Sequence, residues 1–576
     1  MKLTTLLRGC TAAAAIGAGA LGISHADAAN AKKEIAFRHI VIIYEENHSF
    51  DNLYGLWDQV EGQSVNGLAN ADSAHTTQVR QDNTTPYGCL YQLDVNLTSP
   101  PLPATCTDNA GSVPITSHFT NSPFAIDDYI PPIAETCPTP NQFAGNGILN
   151  GQGLPGGCTR DIFHRFYSEQ YQFDGGKQDR YMTGSDASGL TMGHFNTLQL
   201  PIYTYLHSSG APHYVVMDNF FQGAFGGSFL NHQWLVSAAA PTFANAAHDG
   251  GSTDLHSIVD TNGMPTATPL YTPTTTVKDS QLTIECTAPK GHHFAPNLAC
   301  GDFAVNTTQP TYQPFSPGTA SFKQLPPLTS ANIGDEMSAA RVTWAWFSGG
   351  WSNADGDVGK PGWTNGTYSD HSCTDPNVLA SAVWPNCPDG AFQFHHQPFN
   401  YFASYAPGTK ARKEHLLDEA QFFEQANSGT LPMVSFIKPV GEENEHPGYA
   451  SEAKGSSHLV NLLNAIFNGR EGKSTLVIVT YDEFGGQWDH VPPPGQAGGS
   501  SGPSDQWGPG TRIAAIAISP KFKHSGVDHA EHDTTSILAT IEHQYGLAPM
   551  GTRDAAVSDL KSAVKIGMKG AVRNVQ

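Results

Sequence analysis

The chain has 576 residues, which allows roughly three or four small domains or one large α/β domain carrying insertions. Hydrophobic residues make up 39% and aromatics 10%, enough to fill a core, so the high glycine and proline content (58 and 40) marks loops rather than disorder. A formal net charge of −22 excludes nucleic acid and anionic lipid surfaces as electrostatic partners, and an anionic ligand would need a local cation to recruit it.

The N-terminus begins with Lys2 and Arg8, continues through an apolar Ala/Gly-rich stretch from Cys10 to Ile23 and reaches the small-residue site Ala26-Asp27-Ala28. This layout predicts a signal peptide over 1–28, cleaved before Ala29, and an exported protein, periplasmic or extracellular, with no stable membrane anchor. Cleavage removes Cys10 and leaves Cys89, Cys106, Cys137, Cys158, Cys286, Cys300, Cys373 and Cys387. An even set in an exported chain suggests disulfides, and the simplest connectivity joins four sequence-adjacent pairs, one of 105 possible pairings.

Short Val/Ile-rich runs at Ile40–Tyr44, Tyr214–Met217, Met433–Ile437, Leu476–Tyr481 and Ile513–Ile518 predict buried parallel strands. Apolar spacing of three and four residues predicts helices over Leu198–His207, Phe229–Ala239, Glu414–Gln425, His458–Phe467 and Thr535–Gln544. The alternation predicts a three-layer α/β/α sandwich around a mostly parallel sheet. Segments at about 60–160 and 240–335 lack such patterns and hold six of the eight cysteines, so residues 29–576 are expected to form one domain with disulfide-stapled insertions.

The first strand runs into Glu45-Glu46-Asn47-His48-Ser49, and another into Asp482-Glu483. Ligands of an open α/β sheet bind beyond the carboxyl ends of its strands. If Glu46, Asn47, Asp482 and Glu483 converge there, only a cation makes three carboxylates tolerable, and oxygen donors favour Mg²⁺, Ca²⁺ or Mn²⁺ over zinc. Taken singly, these residues also serve as ordinary caps of the turns that follow. In Gly226-Gly227-Ser228-Phe229-Leu230-Asn231-His232 two glycines give way to a serine opening a helix, which suits either a nucleophile beside an anion or a plain N-cap. His164, His395, His396 and His446 lie in loop-like motifs and suit hydrogen bonding to phosphoryl oxygens or protonation of a leaving group, with His490, His529 and His532 as weaker candidates. Gly498-Gly499-Ser500-Ser501-Gly502 matches a hydrolase pattern but sits in a Pro/Gly loop and is set aside.

The ordered segments Glu46-Asn47-His48-Ser49-Phe50-Asp51, Asp218-Asn219-Phe220-Phe221 through His232, Glu443-Asn444-Glu445-His446-Pro447, Thr480-Tyr481-Asp482-Glu483, Asp489-His490-Val491-Pro492-Pro493, Gly508-Pro509-Gly510 and Asp533-Thr534-Thr535-Ser536 are specific as a set. The chain resembles the bacterial phosphoesterase family of acid phosphatase A and the phosphocholine-preferring phospholipases C, a branch of the alkaline phosphatase superfamily. The resemblance implies one metal ion on Glu46, Asn47, Asp482 and Glu483 and a phosphorylated nucleophile at Ser228. It further implies that His164, His395, His396 and His446 surround the phosphate, and Asn231, His232 and His490 are expected as substrate contacts. The Gly-Gly-Ser-Phe-Leu-Asn-His segment looks like the acid phosphatase branch, whereas His48 stands where the lipase branch often has arginine. The expected activity is therefore metal-dependent acid phosphatase action on small phosphate monoesters through a phosphoserine. The alternatives are a phospholipase C-type phosphodiesterase acting on head groups and a non-enzymatic calcium-binding surface protein; a serine esterase has no nucleophile elbow to support it.

Overall fold

The computed structural model describes residues 37–91, 103–111, 114–128, 161–243, 279–286, 298–321, 324–367 and 370–570. The expected signal peptide and the pair Cys137 and Cys158 lie outside the described residues. Eight strands, β1 (His39–Glu45), β2 (His213–Met217), β3 (Trp344–Ser348), β4 (Leu416–Asp418), β5 (Val434–Lys438), β6 (Thr475–Tyr481), β7 (Ala515–Ser519) and β8 (Gly526–Asp528), form one sheet in the order β8-β2-β7-β6-β1-β5-β3-β4. β1 sits in the middle, parallel to β6 from His39↔Thr475 to Glu45↔Tyr481 and parallel to β5 from Ile40↔Val434 to Ile43↔Ile437. Both its faces are covered, and every residue of β1 and β6 is buried, which is why these runs read as continuous Val/Ile rather than as an alternation.

Helices cover the two faces of the sheet. Pro201–Leu206 and Glu419–Ser428 pack on Glu452–Asn468, while Ser228–Ser237 packs on Thr534–Tyr545. The result is the α/β/α sandwich expected from the pattern. Three details differ from expectation. The strand expected at Ile513–Ile518 runs over Ala515–Ser519 and is antiparallel to both of its neighbours, because the Pro/Gly-rich stretch that precedes it contains no helix to carry the chain back for a parallel return. The helix expected over Glu414–Gln425 is interrupted by β4, after which Asp418 caps a new helix with a reciprocal Gln421 box. The five-residue aromatic run of β3 is a buried strand that the pattern reading does not include.

Disulfides Cys89–Cys106, Cys286–Cys300 and Cys373–Cys387 close loops with separations of 17, 14 and 14 residues, each expected to constrain the unfolded chain by about 3 kcal/mol. Among the described residues no helix is long and apolar enough to cross a membrane. Ile42, fully buried at the centre of β1, faces Phe436 and Ile478 on the two adjacent strands, so Ile42→Ala is expected to cost about 2–5 kcal/mol in a urea titration. A cost under about 0.5 kcal/mol would contradict the central position of this strand.

Candidate active site

Because β1 and β6 are adjacent, parallel and in register at Glu45↔Tyr481, the residues that follow them leave the sheet side by side. Asp482 N–H donates to Glu45 O (3.1 Å), Glu46 N–H to Asn444 O (3.0 Å) and Asn47 N–H to Asp482 Oδ1 (3.2 Å). Asn47 takes a positive φ of 61°, and Gly485, itself at φ 63°, passes so close that a Cβ there would lie 2.3 Å from Asn47 O. Glu46, Asn47, Asp482 and Glu483 are thereby gathered, all at 0–1% exposure.

The electrostatics of this group demand a cation. Burial, reinforced by the neighbouring Asp482 charge, holds the Glu46 and Glu483 carboxyls well above the usual carboxylate range. One buried ammonium answers them: Lys438, the last residue of β5, contacts Glu46 Oε1 and donates to Tyr44 O (2.9 Å) and Glu45 O (3.2 Å). Asn47 Oδ1, Asp482 Oδ2 and Glu483 Oε1 accept no hydrogen bond although they are buried. Three buried carboxyl groups with one ammonium and three unpartnered oxygens form a donor set that fits one hard divalent ion.

Ser228 opens the helix Ser228–Ser237, and its Oγ donates to Glu46 Oε2 at 3.2 Å. The turn before it is held from several sides. Gly226 has φ 87°, and a Cβ there would meet Phe166 N at 2.7 Å, so only glycine fits. The buried Glu169 carboxylate accepts from Gly226 N–H (2.6 Å), Gln222 Nε2 (2.9 Å), Thr511 N–H (2.7 Å) and Thr511 Oγ1 (2.8 Å). Burial pushes the Glu169 carboxyl up to about 7 while these donors pull it down. Gln222 Oε1 in turn accepts Phe484 N–H (3.0 Å), which ties the turn before Ser228 to the segment that follows Asp482 and Glu483.

Four of the expected histidines meet this group. His164 Nε2 lies 3.2 Å from Glu483 Oε1 and 3.5 Å from Asn47 Nδ2. His446 Nε2 lies 3.0 Å from Asn47 Nδ2, while its Nδ1 faces Pro447 O at 2.7 Å. His396 Nε2 is 3.3 Å from Glu46 Oε1, and His232 lies one helical turn beyond Ser228, 3.9 Å from Glu46 and 3.8 Å from Asp482. His395 and His164 line a cavity of about 270 Å³ that reaches Gly227, Ser228 and Phe229. Burial lowers His232, His396 and His446 well below the ordinary imidazole value and His395 to about 3, so these rings are neutral at pH 7.

Two expected substrate contacts are employed elsewhere. Asn231 spends its amide on the turn before Ser228, donating to Gly226 O (3.1 Å) and Gly227 O (3.3 Å) and accepting Ala224 N–H (2.9 Å). His490 belongs to a separate buried network, with Asp51 at 2.6 Å, Asn66 at 3.3 Å and Arg512 at 3.4 Å. Neither lines the cavity at Ser228. His529 pairs with Asp218 and His532 with Asp528. Lys438, Glu169 and Gln222 are absent from the sequence reading. A lone lysine ending an apolar strand is a visible signal for the first, whereas Glu169 and Gln222 act on partners as far as 342 and 262 residues away and have no local pattern.

The profile of the Phosphoesterase family matches residues 141–548, well over half of the chain. The chain belongs to the phosphoesterase family. The matched span of this phosphoesterase starts after Glu46 and Asn47, which β1 nevertheless delivers against Asp482. Phospholipase C B of Mycobacterium tuberculosis is 33% identical over 161 residues, covering 24% of this chain and 31% of that protein. The non-hemolytic phospholipase C of Pseudomonas aeruginosa is 28% identical over 218 residues, covering 32% and 31%, and non-specific phospholipase C6 of Arabidopsis thaliana is 26% identical over 171 residues, covering 25% and 33%. The chain thus spans about a third of the length of these curated relatives. Among solved structures, a Vibrio parahaemolyticus protein in the alkaline phosphatase superfamily overlays with a TM-score of 0.21 at 13% identity, over 39% of this chain and 50% of that one. A Silicibacter pomeroyi phosphonate monoester hydrolase overlays with a TM-score of 0.22 at 12% identity, over 43% and 64%.

Glu169→Ala strands buried N–H donors at Gly226 and Thr511, and is expected to cost about 2–6 kcal/mol in chemical unfolding, counting about 1–3 kcal/mol for each stranded donor. A cost below about 0.5 kcal/mol would mean that the turn does not depend on this carboxylate.

Proposed function

We propose that this phosphoesterase is an exported, metal-dependent hydrolase of small phosphate monoesters that works through a phosphoserine at Ser228, with residues 29–576 acting as one domain. The observation that carries the reading is the hydrogen bond from Ser228 Oγ to Glu46 Oε2, made at a helix N-terminus, at the wall of a cavity and beside the unpartnered oxygens of Asn47, Asp482 and Glu483. The three disulfides support export.

In this mechanism the Ser228 hydroxyl proton passes to Glu46 Oε2, and Oγ attacks phosphorus in line with the departing oxygen. The positive end of the helix that Ser228 opens faces the charge on the equatorial phosphoryl oxygens. On the cavity wall His395 offers a ring N–H group to those oxygens and to the leaving alkoxide, and His164 lines the same wall. The unpartnered oxygens of Asn47, Asp482 and Glu483, beside Glu46, would hold a divalent ion, with Mg²⁺, Ca²⁺ or Mn²⁺ favoured over zinc, and it would supply Lewis-acid stabilisation of the phosphoryl group and lower the pKa of the Ser228 hydroxyl. The proton taken up by Glu46 passes to the departing alkoxide; water then attacks phosphorus, breaks the Ser228 Oγ–phosphorus bond, leaves its hydroxyl on the phosphate and gives its proton to the serine oxygen.

A second reading, a phospholipase C-type phosphodiesterase, is favoured by the names of the curated relatives. The Gly-Gly-Ser-Phe-Leu-Asn-His segment and the modest cavity support the monoester instead. Comparing p-nitrophenyl phosphate with p-nitrophenyl phosphorylcholine at mildly acid pH decides between them. The monoester is expected to be the better substrate by kcat/KM; preference for the choline diester moves the protein to the second reading, and no turnover of either leaves a calcium-binding protein.

Ser228→Ala is expected to reduce turnover by at least about 1000-fold while metal content, measured by mass spectrometry, is unchanged. Asp482→Asn is expected to lose metal and activity together. Near-normal activity in Ser228→Ala would remove the nucleophile.

A further inference from the structure

His232 and His396 lie on the Glu46 side of the site with donor atoms that no hydrogen bond occupies. Their rings stack with centroids 4.9 Å apart and planes 7° apart. His232 Nδ1 faces Ser228 O at 2.7 Å, and a carbonyl only accepts, so Nδ1 carries the ring proton and Nε2 of the neutral ring is a bare lone pair. His232 Nε2 and His396 Nε2 are both buried without a hydrogen-bond partner. They lie 3.9 and 3.3 Å from Glu46 Oε1, and one donor atom from each of the three residues falls within 4.8 Å of the others.

Two imidazole nitrogens and a carboxylate oxygen are the donor set of a borderline ion such as Zn²⁺, unlike the oxygen-rich set of Asn47, Asp482 and Glu483. The Lys438 ammonium already stands at the shared carboxylate. It is buried at 1% exposure, donates to Tyr44 O and Glu45 O and pairs in charge with Glu46 Oε1, so it cannot swing aside without stranding two carbonyls and a carboxylate.

We propose that Lys438 is a tethered second cation: its ammonium neutralises Glu46 Oε1, turns Oε2 toward Ser228 and keeps a metal ion out of the His232–His396–Glu46 set. The centre accordingly holds one ion, in the oxygen-rich set, where its donors alone would admit two. The inference rests on the metal-dependent reading of this site. Electrostatic exclusion is its physical basis, since a divalent ion within a few ångströms of a buried ammonium is repelled with little water between them to screen it.

The test counts ions rather than turnover. The full protein is saturated with Zn²⁺ or Mn²⁺ in separate samples, freed of loose metal by gel filtration and measured by plasma mass spectrometry against chain concentration. One ion per chain is expected with either metal. Lys438→Met, which keeps side-chain length and removes the charge, is expected to take two Zn²⁺ but one Mn²⁺. The second Zn²⁺ is expected to disappear when His396→Ala is added, and Lys438→Arg is expected to stay at one. Two Zn²⁺ in the unaltered protein, or a single Zn²⁺ in folded Lys438→Met, overturns the proposal. His396→Ala alone keeps the test decisive if Lys438→Met fails to fold: it is expected to retain its single ion, and loss of that ion overturns the proposal. No ion in the unaltered protein contradicts instead the metal-dependent reading on which this inference stands.

Discussion

Three carboxylates forced together at the ends of two neighbouring strands are the constraint around which this molecule is organised. The register of β1 and β6 leaves Glu46, Asp482 and Glu483 nowhere to separate, and burial denies them water. Charges so placed persist only where positive charge is built around them. The end of β5 supplies Lys438, and the N-terminus of the helix that Ser228 opens adds a partial positive charge. The divalent ion proposed for this group would complete the balance and bring an anionic substrate to a protein whose overall charge of −22 would otherwise repel one.

The proposed chemistry needs Ser228 held still against the carboxylates, and the structure fixes the turn before it with hydrogen bonds rather than bulk. Glu169 grips the turn before Ser228 together with Thr511, while Gln222 links that turn to Phe484, immediately after the acidic pair. Asn231 closes the same turn from inside the helix. A displacement of about 1 Å at such a position costs on the order of 100-fold in rate, so these buried amides and carboxylates matter to chemistry they do not touch.

Much of this is legible in the sequence because it depends on local pattern. Unbroken Val/Ile runs announce strands covered on both faces, and acidic residues at their ends gather once the strands are neighbours. Two glycines before a serine announce a tight turn into a helix. What the sequence hides is set by distant pairing. The reversal of β7 depends on the absence of a crossover helix, and the aromatic run of β3 has no alternation to distinguish it from a buried loop. Asn231 and His490 look like substrate contacts by residue type, yet one is consumed by its own turn and the other by Asp51 and Arg512. The importance of Lys438 and Glu169 appears only when segments far apart in sequence meet.

The measurement that bears most directly on this account is the capture of the covalent intermediate. The protein is mixed with a phosphate monoester radiolabelled in its phosphoryl group, quenched in acid during turnover and mapped by peptide. Label on the peptide containing Ser228, localised to that residue, is the predicted result. Steady turnover with label on another residue, or with none under conditions where a phosphoserine survives, would contradict it.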